Sequence, residues 1–129
     1  MAEGWARALK GDSIEPYSAG IEVHGLNPKA AIVMAEAGVD ISQQRSKHVR
    51  ELLDTPFDCV VTVCDNARET CPSFPRPVAK VHRSFDDPAR AERKLDDDEL
   101  ILREFRRVRD DIRRFVEEMP ENLGLMIDD

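Results

Sequence analysis

The chain has 129 residues, of which 41% are apolar, 35% charged and 5% aromatic; this suits one domain spanning residues 1–129 with a single core, and excludes disorder throughout. A net charge of −7 and a pI near 5.0 exclude sequence-independent binding to nucleic acid or to an anionic membrane, because both need a clustered positive field. No run approaches the roughly 18 apolar residues of a membrane span, and Met1 to Lys10 carries Glu3 and Arg7 where a secretion signal is apolar, so the chain reads as soluble and cytoplasmic.

Met1 to Leu9 has a helical pattern but no Ser, Thr, Asp or Asn ahead of it to cap the first turn. Ile14 to Ser18 reads as a strand that turns at Gly20. Pro28 suits the first turn of a second helix, which Ala30, Ala31, Val33, Met34 and Ala37 fill and Gly38 ends. A third, shorter helix is expected over Lys47 to Leu53. Pro56 closes it before Cys59 to Cys64, where Val60, Val61, Thr62 and Val63 form a β-branched run suited to a parallel strand covered on both faces. Asp65 to Pro72 is polar and leads into Pro75 and Pro77, the signature of a loop or a short unstable helix.

Val78 to Phe85 gives another strand, which Asp86, Asp87 and Pro88 break. From Glu99 on, Ile101, Phe105, Val108, Ile112, Phe115, Val116 and Met119 recur at three- and four-residue steps, the clearest amphipathic helix of the chain. Asp96, Asp97 and Asp98 stand just before it, where negative charge favours the positive helix end, and are read as capping residues. The arginines of this helix alternate with Asp110, Asp111, Glu117 and Glu118 and read as a solvated face. There is no internal repeat. Strands alternating with helices argue for an α/β fold: an open, mostly parallel sheet with helices on both faces.

Ligands of such sheets bind beyond the carboxyl ends of the strands. Ser18 with Gly20, Cys64 and Asp87 each stand at such an end, so residues from three parts of the chain converge on one edge. Cys64 and Cys71 are seven residues apart; on a helix they would lie about 10 Å apart along the axis, beyond the roughly 7 Å between Cα atoms that a disulfide allows. They can bond only if Asp65 to Thr70 leave helical form; the plainer reading makes both small buried hydrophobes, which the polar neighbours Asp65, Asn66, Arg68 and Glu69 weaken for Cys71. Cys59, five residues from Cys64 on a strand, points to the other face and is assigned to core packing. Zinc on Cys59, Cys64, Cys71 and His82 is disfavoured, because the spacings are not the usual two to four residues. His24, His48 and His82 stand in no ligand pattern and read as surface or satisfied core residues, and Asp86–Asp87–Pro88 read alone is a strand terminator.

Met1-Ala-Glu-Gly-Trp5, Tyr17-Ser-Ala-Gly-Ile21, Asn27-Pro-Lys29, Gly38-Val-Asp-Ile-Ser42 with Ser46-Lys47, Val63-Cys64 with Cys71-Pro72, and Phe85-Asp-Asp-Pro88 together resemble the thioredoxin-coupled arsenate reductases, enzymes built on the low-molecular-weight tyrosine phosphatase fold. The resemblance runs from Met1 to about Val116. It implies reduction of arsenate to arsenite, an arsenic detoxification, with Cys64, Cys71 and Asp87 as catalytic residues. A loop thiolate attacks arsenic while Asp87 protonates the departing hydroxide; Cys64 attacks the loop sulfur, and Cys71 resolves the product to a Cys64–Cys71 disulfide. Thioredoxin, as external reductant, reopens it. No bound cofactor is implied, and a monomer is expected. The family's first strand, central to its sheet, and its Cys-x5-Arg loop are not among these 129 residues, so the resemblance implies an N-terminally truncated chain that is inactive as it stands. Some members carry an acidic residue at the position of Lys47, contributing to a potassium site with residues matching Glu3 and Ser18; Lys47 puts an ammonium there instead, so no bound metal is expected. Two other readings stay open: a non-catalytic thiol-bearing remnant or binding module, and a phosphatase, which would have no use for Cys64 and Cys71.

Overall fold

The computed structural model describes residues 1–19, 27–44, 47–63, 78–119 and 121–123. In chain order it contains α1 (Ala2–Lys10), α2 (Pro28–Glu36), a 3₁₀ turn (Val49–Leu52), β1 (Cys59–Thr62), β2 (Ala79–His82), α3 (Ala89–Lys94), α4 (Asp98–Glu117) and a 3₁₀ turn at Glu121–Leu123. Among the described residues the sheet is β1 and β2, parallel and paired from Cys59 with Ala79 to Thr62 with His82.

The long helix α4 organises the rest. Its 20 residues span about 30 Å at 1.5 Å per residue, and α1, α2 and α3 all pack on it. Asp97 caps it as the sequence predicts: its Oδ1 accepts from the amides of Glu99 (2.9 Å) and Leu100 (3.2 Å). The apolar stripe forms the core as expected, with Ile101, Phe105, Val108, Ile112, Val116 and Met119 buried against Trp5, Val33, Met34 and Ile41; Phe115 is half-buried beside them.

Local chemistry sets the shorter helices. α1 has no side-chain cap, in keeping with the sequence. It buries Trp5, whose indole N–H donates to the Arg109 carbonyl at 3.2 Å. Gly4 lets α1 approach closely: a Cβ there would stand 2.6 Å from Ile41 Cγ2. Asn27 caps α2 through the amides of Lys29 and Ala30, with Pro28 in the first turn. The helix ends where Gly38 turns left-handed at φ 85°; the amides of Gly38 and Val39 donate back to the carbonyls of Ala35 and Met34 at 3.0 and 2.9 Å, closing the exposed helix end as a Schellman motif does.

Four expectations need correction. Residues 14–18 form no strand, because no neighbouring described strand pairs with them. The expected helix over Lys47 to Leu53 is a single 3₁₀ turn. Its few residues cannot meet the cost of nucleating an α-helix. β1 is half-buried along its length, not covered on both faces. The arginine face of α4 is not simply solvated: Arg106 forks onto both carboxylate oxygens of Glu36 at 2.9 Å, and Arg109 Nη1 donates to the Val33 carbonyl at 2.8 Å, so both bolt α2 to α4. The helix α3 escaped the sequence reading, although Pro88 followed by Ala-Arg-Ala-Glu-Arg-Lys is a run of helix formers behind a proline.

Candidate active site

The parallel pairing of β1 and β2 continues past the end of β2. The amide of Arg83 donates to the Thr62 carbonyl at 2.9 Å, and the amide of Phe85 to the Val63 carbonyl at 3.0 Å. Side chains reinforce the same junction, where Thr62 Oγ1 and His82 Nδ1 lie 2.7 Å apart. The segment that leads to Asp87 is thereby fixed against the exit of β1.

Helix α4 holds this segment from the other side. Phe85 meets Phe115 edge to face at 5.8 Å between ring centres, Arg83 pairs with Asp111 at 3.6 Å, and Arg107 donates to Asp86 at 3.0 Å. Asp87 is exposed and opens the turn into α3, its carbonyl accepting from the Arg90 amide at 3.1 Å. The two aspartates thus divide the work: Asp86 is drawn to α4, while Asp87 stands at the strand end.

Ser18 and Ala19 lie against β1. Together with Val61, Val63 and Cys59 they line an apolar groove of about 260 Å³ that Phe115 also borders. Of the residues expected to converge, Val63 meets the approach to Asp87 through Phe85, and Ser18 shares a groove with β1 from Cys59 to Val63. Gly20, Cys64, Cys71 and His24 lie outside the described residues.

At the wall of the groove is a charged cluster. Glu3, on the buried side of α1, accepts from Ser18 Oγ at 3.1 Å through Oε1. Lys47 Nζ stands 3.9 Å from the same oxygen, and Arg7 lies 3.9 Å from Oε2. Glu3 and Lys47 side chains are only 8% and 14% exposed, so Lys47 is not the solvated lysine a helix start would suggest. A cation site does not fit these donors. Glu3 already faces an ammonium on one oxygen and a guanidinium on the other, and a further positive ion would meet repulsion from both.

Cys59 keeps a packing role but lies outside the buried core. It is half-buried at the wall of the groove, and burial, with Asp58 beside it, pushes its thiol above the usual cysteine range. Such a thiol is a weak nucleophile at neutral pH, which fits a packing role better than a reactive one. His48 and His82 have structural partners, the first as a turn cap and the second on Thr62. Among the described residues no group of His, Cys, Asp and Glu could hold a metal ion, and no helix is long and apolar enough to cross a membrane. What the sequence reading missed is the double anchoring of the Asp87 approach; its signals, Arg83, Phe85 and Arg107, look like ordinary exposed or core residues until their partners on α4 are known.

A family model for low molecular weight phosphotyrosine protein phosphatases matches residues 1–125. The chain is 46% identical over 121 residues to an arsenate reductase of Halalkalibacterium halodurans and 45% identical over 121 residues to one of Bacillus subtilis, covering 94% of this chain and 85% of each relative. An arsenate reductase of Staphylococcus haemolyticus is 42% identical over 127 residues, covering 95% of this chain and 86% of the relative. Among solved structures, an arsenate reductase in its reduced state superposes with a TM-score of 0.67 at 26% identity, covering 95% of this chain and 86% of the other. An arsenate reductase from Archaeoglobus fulgidus, 24% identical, shares the fold with a TM-score of 0.69 over 96% of this chain and 88% of the other. The parallel β1–β2 pair, the helices gathered on α4 and these matches lead to one conclusion: the chain belongs to the low molecular weight phosphotyrosine protein phosphatase family, and within it to the arsenate reductases.

Proposed function

We propose that this chain carries the thiol relay of an arsenate reductase, converting arsenate to arsenite with thioredoxin as the external reductant. The observation that carries the reading is the junction of Val63 with Phe85. It sets the approach to Asp87 beside Val63, the residue that precedes Cys64 in the chain, which supports a reading in which a proton donor and a thiol act together. Identity above 40% to named arsenate reductases along most of the chain supports the same chemistry.

In this reading the first nucleophile is the thiolate of a Cys-x5-Arg loop. No cysteine of the 129 residues is followed by arginine at that spacing, so that thiolate is not one of this chain's own groups. When it attacks arsenic, Asp87 gives its proton to the departing hydroxide. The Cys64 thiolate then attacks the loop sulfur; the electron pair of the sulfur–arsenic bond passes to arsenic, which leaves as arsenite. Cys71 attacks Cys64, frees the loop thiol and leaves a Cys64–Cys71 disulfide, which a dithiol of thioredoxin reduces by two further exchanges. The Glu3–Ser18–Lys47 cluster stabilises the segment behind the oxyanion site, with the Lys47 ammonium in the place that a potassium ion takes in some relatives. Cytoplasmic location and a monomeric state accord with this role.

The test is thioredoxin-coupled arsenate turnover, measured on the 129-residue chain and on the same chain joined behind a strand and a Cys-x5-Arg loop. Turnover is expected only in the extended protein, and Cys64→Ser or Cys71→Ser is expected to abolish it. Turnover by the shorter chain above its Cys64→Ser control would show that the nucleophile has been misplaced. An extended protein that hydrolyses an aryl phosphate but leaves arsenate unreduced would favour a phosphatase. Failure at both reactions would leave a thiol-bearing binding module.

A further inference from the structure

The turn that delivers Lys47 has a cap of unusual chemistry. His48, extended at φ −79° and ψ 143°, precedes the 3₁₀ turn Val49–Leu52. Its ring Nδ1 accepts from the Arg50 amide at 3.1 Å, and Glu51 Oε2 accepts from the His48 amide at 3.1 Å, which completes a capping box. Ser, Thr, Asp and Asn ordinarily fill this position. A histidine serves only in its neutral form, because an imidazolium has a proton on both nitrogens and no acceptor. The contact therefore fixes one tautomer, with the proton on Nε2 and the lone pair on Nδ1.

Lys47, immediately before, is a long side chain that loses up to about 2 kcal/mol of rotamer freedom when it is ordered. Its contact with Glu3 at 3.9 Å is too long for a direct hydrogen bond and fixes no direction by itself. The backbone at residues 47 and 48 sets where that side chain starts. The turn is also seated on its other side, since Val49 and Leu52 line the apolar groove together with Ser18.

We propose that His48, neutral and protonated on Nε2, is a positioning residue for the Lys47 ammonium, locking the turn that aims it at Glu3 and Ser18. The proposal rests on Lys47 as the charge that completes this cluster, and stands whether or not the chain reduces arsenate.

The test is reductive methylation of the intact 129-residue chain with formaldehyde and a mild hydride, with the rate at each lysine read by mass spectrometry, alongside ¹⁵N spectra of the histidine rings. In the wild type Lys47 should react more slowly than exposed Lys80, and His48 should show a protonated Nε2 and a bare Nδ1. His48→Ala should raise the Lys47 rate roughly fivefold, the factor matching a typical lost N-cap, without changing Lys10 or Lys29. His48→Asn, which keeps an acceptor, should restore the slow rate. An unchanged Lys47 rate in His48→Ala, no rescue by His48→Asn, a protonated Nδ1, or an equal rise at all lysines would each overturn the proposal. Lys47 reacting as fast as Lys80 in the wild type would overturn the role of Lys47 as well.

Discussion

Replacing Lys47 by Met removes the ammonium from Glu3 while keeping the apolar stem. At 3.9 Å the attraction between the two charges is about 4 kcal/mol in an effective dielectric of about 20. Three facts of the structure reduce the net loss. Ser18 keeps its hydrogen bond to Oε1 at 3.1 Å, Arg7 stays at 3.9 Å from Oε2 though its side chain is 64% exposed, and the variant no longer desolvates an ammonium. A loss of about 2 kcal/mol is expected, below the roughly 3–5 kcal/mol seen when a fully buried pair loses one member. Urea unfolding should show it as a midpoint lowered by about 1 M, for an m-value near 2 kcal/mol/M. Glu3→Gln tests the assignment, because in that background Lys47→Met should cost at most about 0.5 kcal/mol. Additive losses in the double variant would refute the pairing. A wild-type midpoint that rises when potassium replaces sodium would refute the claim that the ammonium fills the cation's place.

Phe105→Ala empties a fully buried position on α4 and should cost about 3–5 kcal/mol, read by the same unfolding curves; a loss under about 1 kcal/mol would mean that α4 does not centre the core. The Arg106 guanidinium holds the Glu36 carboxyl below its usual value of 4.5. A depressed carboxylate contributes stability above its unfolded pKa and loses it as pH falls through the folded one, so Glu36→Gln should flatten the fall in stability below about pH 4.5, and an unchanged acid limb would count against the fork. Burial raises the Cys59 thiol, so its alkylation by iodoacetamide should accelerate only above the ordinary thiol range; a rate profile centred on pH 8.5 or lower would place Cys59 in a different environment.

Local signals in the sequence were good guides where the physics is local. The stripe from Ile101 to Met119, the Asp97 cap and the stop at Gly38 depend on neighbours within a turn, and all three were legible. The segment 14–18 was not, since apolar residues can suit a strand but a strand exists only with a partner, and no described strand pairs there. The β-branched run of β1 misled in the other direction: it reports that a covered strand would be tolerated, not that cover is present. Arg106 and Arg109 look like members of a charged surface because the groups they reach, Glu36 and the Val33 carbonyl, lie 70 and 76 residues away.

The candidate site divides the same way. Nothing in the spacing of Glu3, Ser18 and Lys47 joins them; their meeting was legible only through the family resemblance, and the geometry supplies its physical reason in one carboxylate oxygen shared by a hydroxyl and an ammonium. The convergence at the strand ends, by contrast, followed from topology alone. Two adjacent parallel strands leave the sheet side by side, so Val63 and Phe85 can extend the ladder by one more hydrogen bond. Each residue added beyond that bond carries the chain at most about 3.6 Å. Asp87, two residues on, therefore cannot leave the neighbourhood of the β1 exit, whatever its side chain is used for. The order of elements thus forces the proximity, while the anchors from α4, Phe115 on Phe85 and Arg107 on Asp86, draw the side chain of Asp86 onto that helix.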